Sequence, residues 1–245
     1  IIMPYLFKIP THKFLSDVKV LTNISGKTIL GFTPHSDDLS IGAGGFLAHL
    51  SVSNKIVPVL GYTGWRGVDQ KISRADAIKT REEEMIKEAK ILGLQTPLFL
   101  RLLTYEKDDA KSNKQDIEKI KSVIKKVKPD VIFLANKNDL HPRHKLFSHL
   151  VLTALKQLNY GAELFYYEIP WSVFSGNEFN FVVPLSNNLA NKKINAIKAH
   201  KSQLQRTNFV RLTKSLLALR AGMVPEQKIT GYGGKKVSLG NCVEV

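Results

Sequence analysis

The chain has 245 residues, 43% of them hydrophobic and 23% charged, proportions that suit a soluble globular fold with a sizeable core. A single cysteine, Cys242, excludes an intramolecular disulfide and a zinc–thiolate cluster. The net charge of +15 invites a nucleic-acid reading. The lysines, however, are spread over predicted helix surfaces (Lys111, Lys114, Lys119, Lys121, Lys125, Lys126 and Lys128). No basic stripe interleaved with stacking aromatics accompanies them, so no nucleic-acid partner is expected. The charge reads as a solvated surface, or as attraction for an anionic substrate or a membrane surface. No apolar run approaches the ~20 residues of a membrane span. The apolar start, residues 1–7, lacks the basic region and cleavage site of a signal peptide, and a cytoplasmic protein is expected.

Residues 1–27 read as an irregular arm or short helical lead-in. Thr28-Ile29-Leu30-Gly31-Phe32 is a buried strand, because large apolar residues follow one another without helical spacing. Residues 41–53 form a helix whose apolar face is Phe46, Leu47 and Leu50. Residues 56–61 form a second strand, with Pro58 marking an edge or an end, and 62–67 a glycine-punctuated loop. Residues 73–92 form a long helix stopped by Gly93. A strand follows at 98–102, then a polar loop over 104–115. Ile117, Ile120, Ile124 and Val127 give helical spacing over 115–128, and Pro129 ends that helix. Residues 130–135 are a buried strand, 145–158 a helix and 164–169 a strand. Beyond Pro170 the pattern loosens into a largely helical stretch, 191–220, and a turn-rich tail at 231–234. Strands alternating with helices predict a mainly parallel sheet covered on both faces. One domain is expected, with its core at about 28–170 and a C-terminal elaboration at about 171–245.

Two loops carry the chemistry. Thr33-Pro34-His35-Ser36-Asp37-Asp38 follows the first strand, and His141-Pro142-Arg143-His144 follows the strand at 130–135. Sites in open α/β sheets are built at the carboxyl ends of strands, and imidazole with carboxylate suits zinc and its first-row neighbours. Each stretch alone has an ordinary reading: a loop histidine, or an Asp38 or Ser40 that caps a helix. Both in the same kind of place make a joint metal site. His49 and His149 lie on predicted helices and are set aside.

The order of these motifs resembles the PIG-L or LmbE-like family of zinc-dependent deacetylases, which act on N-acetylglucosamine-containing substrates. The resemblance is carried by His35-Ser36-Asp37-Asp38 with Gly44-Gly45, the Thr63-Gly64-Trp65 loop, Arg81 and Glu84 on a helix ending Leu92-Gly93, His141-Pro142-Arg143-His144, and His200-Lys201-Ser202-Gln203. It implies a Rossmann-like three-layer α/β sandwich and a catalytic metal, Zn2+ or another first-row divalent ion, on His35, Asp38 and His144. It further implies Asp37 as general base on the metal-activated water. A protonated His141 would stabilise the oxyanion and donate to the leaving amine, and Arg81 would contact the sugar or an anion on it. Three residues depart from the family pattern. Ser36 replaces a proline, Leu39 replaces an acidic residue, and Arg143 replaces the aspartate between the two histidines. Arg143 is expected to turn to the pocket mouth and hold an anionic substrate group, since its planar fork suits phosphate; in the rival reading it only suppresses the acid.

The expected partner is thus a small amino-sugar substrate, in neutral or anionic form, and a homo-oligomer is left open. Two alternatives stand beside the hydrolase: a metal- and glycan-binding member with weak or no turnover, and a basic nucleotide- or nucleic-acid-binding Rossmann-like protein. The glycine signal for the last is poor, because Gly42-x-Gly44-Gly45 does not match Gly-x-Gly-x-x-Gly.

Overall fold

The computed structural model describes residues 19–21, 24–68, 71–175, 178–223 and 243–244. Of the arm expected over 1–27, residues 1–18 and 22–23 lie outside the described residues, as do the turn at 231–234 and Cys242. The described chain begins with β1 (Lys19–Val20), then runs through β2 (Thr28–Thr33), α1 (Asp38–Leu50), β3 (Lys55–Leu60), α2 (Arg74–Leu92) and β4 (Leu98–Phe99). It continues with α3 (Ala110–Val127), β5 (Val131–Ala135), α4 (Pro142–Leu158) and β6 (Glu163–Tyr167). The last elements are β7 (Phe181–Pro184), α5 (Asn187–Lys198), α6 (Lys201–Leu204), α7 (Phe209–Met223) and β8 (Val243–Glu244).

The main sheet is fully parallel, in the order β4-β3-β2-β5-β6. Alternation along β2 divides the interior in two. Ile29 packs with Phe46, Leu47 and Leu50 of α1 and with Ile194 and Ile197 of α5. Leu30 and Phe32 pack with Ile120 and Ile124 of α3 and with Phe147, Leu150 and Val151 of α4. β2 is therefore covered on both faces, which is why it reads as an unbroken apolar run. Along α1 every residue but His49 is buried. Its close seat on β6 depends on Gly42, where a Cβ would lie 2.2 Å from Cδ2 of Tyr167.

Several expected boundaries move. The strand over 98–102 is two residues long, because Arg101 turns to φ +46°. The helix expected from 115 starts at Ala110, where Asp109 caps it by accepting the Ser112 N–H at 2.8 Å. Pro58 sits in a strand flanked on both sides, yet β4 pairs only with Val59 and Leu60. Among the described residues the strand paired at Pro58 is therefore β2, through Gly31, and the missing N–H interrupts no described pairing. The largely helical stretch expected over 191–220 is built of three helices, α5, α6 and α7. A second sheet, β1-β7-β8, was not foreseen; its strands are two to four residues long, too short for a period to show. Among the described residues no helix is long and apolar enough to cross a membrane.

Candidate metal centre and active site

β2 and β5 are neighbours, and the chain leaves them in opposite directions. From β2 it goes through α1 to β3; from β5 it goes through α4 to β6. The helices that start here cover opposite faces, so a crevice opens above the carboxyl ends of β2 and β5. The two chemistry-bearing loops meet in it.

Three ligand atoms converge. His35 Nδ1 lies 3.0 Å from His144 Nε2 and 3.2 Å from Asp38 Oδ2, and His144 Nε2 lies 3.1 Å from Asp38 Oδ2. Two imidazole nitrogens and one carboxylate oxygen with near-equal spacing form one triangle. Bonds of about 2.0–2.1 Å to a tetrahedral zinc would set such atoms ~3.3 Å apart. The donor set and its spacing therefore fit a first-row divalent ion with an open fourth position. Local structure builds this arrangement. Asp38 is the first residue of α1, and its Oδ2 also accepts the His35 N–H at 2.9 Å. The helix-cap reading of Asp38 or Ser40 does not hold: both lie inside α1, and the cap position belongs to Asp37, whose side chain makes no cap hydrogen bond. Pro142 at the first turn of α4 brings His144 into the crevice.

Sequence reasoning missed a carboxylate behind the triad. Asp139 Oδ2 lies 2.9 Å from His144 Nδ1, and its Oδ1 accepts the His141 N–H at 2.8 Å. An aspartate two residues before the His-Pro step, in position for an Asx-turn, was the available signal. It leaves His144 Nε2 as the atom facing the triangle. Burial alone would press the His144 imidazole down, but the Asp38 charge and the Asp139 hydrogen bond push it up to about 10. Burial would likewise raise Asp38, yet His144 and then His35 hold it well below the usual carboxylate range. A bound cation would take the place of the His144 Nε2 proton, so its affinity falls as pH falls.

Asp37 stands beside the triangle and does not belong to it. Its Oδ1 accepts from Arg81 Nη2 at 2.8 Å, and both side chains are buried. Losing one partner of such a pair costs about 3–5 kcal/mol. Arg81 comes from α2 and lies against Gly64, whose φ of +63° carries the loop after β3 past the guanidinium. His141 caps α4, its Nδ1 accepting from the Arg143 N–H at 3.2 Å. Its ring is 5.3 Å from that of His35 and 4.6 Å from that of His144. Desolvation in this ring cluster, then the charges of His144 and His35, press His141 down to about 4. Arg143 is half-buried, and its Nη1 donates to the Thr104 carbonyl oxygen.

Aromatic walls flank the triangle. Tyr62 and Tyr105 face the His35 ring at 6.2 and 6.4 Å, and Trp171 faces His144 at 6.4 Å. The Leu103–Tyr105 turn is held by buried Asp116, which accepts the N–H groups of Leu103 and Thr104. Behind the site, His200-Lys201-Ser202-Gln203 clasps α2. His200 Nε2 lies 2.5 Å from Glu88 Oε2, and Ser202 donates its N–H and hydroxyl to Glu84. A separate cavity of about 560 Å³ lies between α1, β6 and β7, lined by Phe46, Phe133, Phe165 and Phe179, and none of the triad residues border it.

Similar folds occur among solved structures. N,N'-diacetylchitobiose deacetylase from Pyrococcus horikoshii is 20% identical, with a TM-score of 0.65 over 80% of this chain and 79% of that one. The zinc-inhibited form of teicoplanin deacetylase Orf2 is 16% identical, with a TM-score of 0.65 over 80% and 93%. GalB, the 4-carboxy-2-hydroxymuconate hydratase from Pseudomonas putida KT2440, is 18% identical, with a TM-score of 0.61 over 86% and 93%. At these identities the likeness is one of fold, and a hydratase shares it with deacetylases. The family comes from the sequence itself. The model of the GlcNAc-PI de-N-acetylases matches residues 30–155, just over half of the chain and both site loops, so this chain belongs to the PIG-L family.

Proposed function

We propose that this chain is a metal-dependent hydrolase that removes the acetyl group from an N-acetylglucosamine-containing substrate. The observation that carries the reading is the triangle of His35, Asp38 and His144 with a buried, arginine-held carboxylate, Asp37, beside it. Membership of a family described as de-N-acetylases supports it. Zinc, or another first-row divalent ion, held by the three ligands would supply a Lewis acid for the amide carbonyl and lower the pKa of attacking water from ~16 towards ~7.

The chain's own groups divide the rest of the work. Arg81 fixes Asp37 through Oδ1, which leaves Oδ2 to take a proton from water as the oxygen attacks the acetyl carbon. His141 accepts on Nδ1 from the chain, so a neutral ring carries its proton on Nε2. That N–H can donate to the carbonyl oxygen as negative charge grows there. When the C–N bond breaks, the proton on Asp37 passes to the amine, and acetate leaves. Arg143 serves the site by holding the Thr104 carbonyl, and with it the Tyr105 wall. The sugar ring sits between Tyr105 and Trp171.

A weak or non-hydrolytic glycan-binding member is the second reading. It is favoured by one observation: Arg143 stands where a carboxylate would support His141 as a cationic acid, and His141 is pressed down. Release of amine from a panel of N-acetylglucosamine derivatives, with and without chelator, decides between them. Turnover that chelation abolishes and zinc restores is the expected result; binding of a derivative without amine release would establish the second reading.

A further inference from the structure

Beyond β6 the chain makes a tight turn, Ile169-Pro170-Trp171-Ser172, closed by the Ser172 N–H donating to the Ile169 carbonyl oxygen at 2.9 Å. Proline sets the first central position of the turn, and Trp171 stands at the second. The indole faces the His144 ring at 6.4 Å. The turn is tied to the site loop as well, Ser172 Oγ accepting the Leu140 N–H at 3.4 Å. One buried ion pair closes the base of this segment. Glu168 and Arg220 are 3% and 2% exposed. Arg220 Nε donates to Glu168 Oε1 at 2.7 Å, and Nη2 donates to Oε2. The same two side chains take both backbone polar groups of Phe174. Glu168 Oε2 accepts the Phe174 N–H at 2.7 Å, and Arg220 Nη2 donates to its carbonyl oxygen at 2.7 Å. Residues 168 and 174, on either side of Trp171, are thus held to one guanidinium. Arg220 belongs to α7, and Phe209, about three turns earlier on that helix, lies against the Trp171 ring at 5.5 Å.

Stability alone does not account for the pair. Taking both charges out of water costs about what their attraction returns, and a well-packed apolar pair would hold α7 as firmly. An apolar pair could not bond the N–H and the carbonyl oxygen of Phe174. A fork with two parallel bonds fixes direction as well as distance. What the pair adds is therefore geometry, delivered to a segment whose tip faces a metal-ligand histidine. An aromatic wall held in place before the ligand arrives needs less ordering on binding. Glu168, Trp171 and Arg220 all lie beyond residues 30–155, which the family model matches, so the family assignment says nothing of this wall.

We propose that Glu168 and Arg220 are positioning residues that hold Trp171 as a preformed stacking wall for the sugar ring, so that α7 sets amino-sugar affinity without touching the substrate. The sugar's place rests on the deacetylase reading. The order of the wall and its effect on binding are measured apart from turnover.

The test replaces the pair by an apolar one, Glu168→Leu/Arg220→Met, in the zinc-loaded full chain. This double variant should keep about one metal ion per chain and a Tm within about 4 °C of the parent. KM for N-acetylglucosamine and N,N'-diacetylchitobiose, and the calorimetric Kd of each, should rise about 10-fold, with kcat within about threefold of the parent. Trp65→Phe, carried in both chains, leaves Trp171 as the one tryptophan, and quenching of its emission by acrylamide should rise in the double variant. A role in stability alone would leave KM and quenching where they are once Tm is preserved. If the double variant does not fold, Arg220→Lys carries the same test. It keeps a charge on Glu168 and loses the fork, so KM and Kd should rise about threefold, and unchanged values there overturn the proposal. Unchanged Kd, unchanged quenching or loss of metal in a folded double variant overturns it too, as does a parent that binds neither sugar. If no amine is released but Kd weakens and quenching rises, the positioning stands and the deacetylase reading falls.

Discussion

His144 and His200 are each 1% exposed, and each lies against two carboxylates. Burial and acidic neighbours do not tell them apart. The difference lies in what else converges. His144 points Nε2 at an atom of Asp38 and an atom of His35, with Asp139 fixing the other ring nitrogen. Among the described residues His200 points Nε2 at Glu88 alone, and its Nδ1 has no hydrogen-bond partner there. The first arrangement is a three-pronged ligand set above strand ends; the second is a clasp that ties α6 to α2. A buried histidine with acidic neighbours is a candidate metal ligand where a third donor meets it at ligand spacing.

The largest expected effect tests that contrast directly. His144→Ala should reduce bound metal from about one ion per chain to near zero and abolish amine release, because two ligands are left. His200→Ala should keep the metal. It should lower Tm by about 5 °C, since it leaves Glu88 buried without its partner at a cost of about 1–3 kcal/mol, and each kcal/mol moves Tm by about 2–4 °C at this size. Elemental analysis beside a melting curve reads both. Equal metal loss in the two variants would erase the distinction.

Next comes the separation of base from ligand. Asp37→Asn should retain metal while kcat falls about 10²–10⁴-fold, whereas Asp38→Ala should lose both. Full turnover by Asp37→Asn on an established substrate would remove the carboxylate from its proposed role.

How much of this was legible beforehand follows from where the signals lie. The parallel sheet could be read because strands covered on both faces are continuous apolar runs, as in Thr28-Ile29-Leu30-Gly31-Phe32. The convergence of His35, Asp38 and His144 could be read because these residues crowd into two short stretches at strand ends, and a known motif order brought them together. Contacts made at long sequence distance left no trace. Nothing near Arg81 announces Asp37, 44 residues away. Nothing near Arg143 announces the Thr104 carbonyl. Asp139, beside Asn136, Lys137 and Asn138 in the stretch between the strand at 130–135 and the helix at 145–158, looks like turn chemistry in sequence. It is that as well: one oxygen makes the turn and the other holds His144.

Asp139 gives a smaller, graded effect. Asp139→Asn keeps the Asx-turn through its amide oxygen but turns an NH2 donor towards His144 Nδ1, whose proton then has no acceptor. Metal affinity should fall about 10–100-fold without collapse of the fold, as outer partners of metal histidines generally require. Titration with a competing chelator measures it. An affinity within twofold of the parent would show that the His144 ring is fixed by packing alone.

The smallest effect belongs to the clasp and follows from proton linkage. Burial pushes the Glu88 carboxyl above its ordinary 4.5, while the His200 hydrogen bond and charge and the Ser40 hydroxyl pull it back, and Asp37 adds a further push upward. The net shift is upward. Between 4.5 and the raised value the folded chain keeps a proton that the unfolded chain has lost. The stabilisation present below 4.5 is therefore lost as pH rises through that window. Glu88→Gln cannot ionise and carries no such slope. Its Tm relative to the parent should rise by about 2–4 °C across the window for each kcal/mol of linkage removed. Asp38 has the opposite sign, being held low, so its contribution is lost only as pH falls. Melting curves of the parent and Glu88→Gln in steps from below 4.5 upward read the difference. A Tm gap that stays constant with pH would mean that Glu88 titrates alike in the folded and unfolded chain, the His200 bond cancelling the effect of burial.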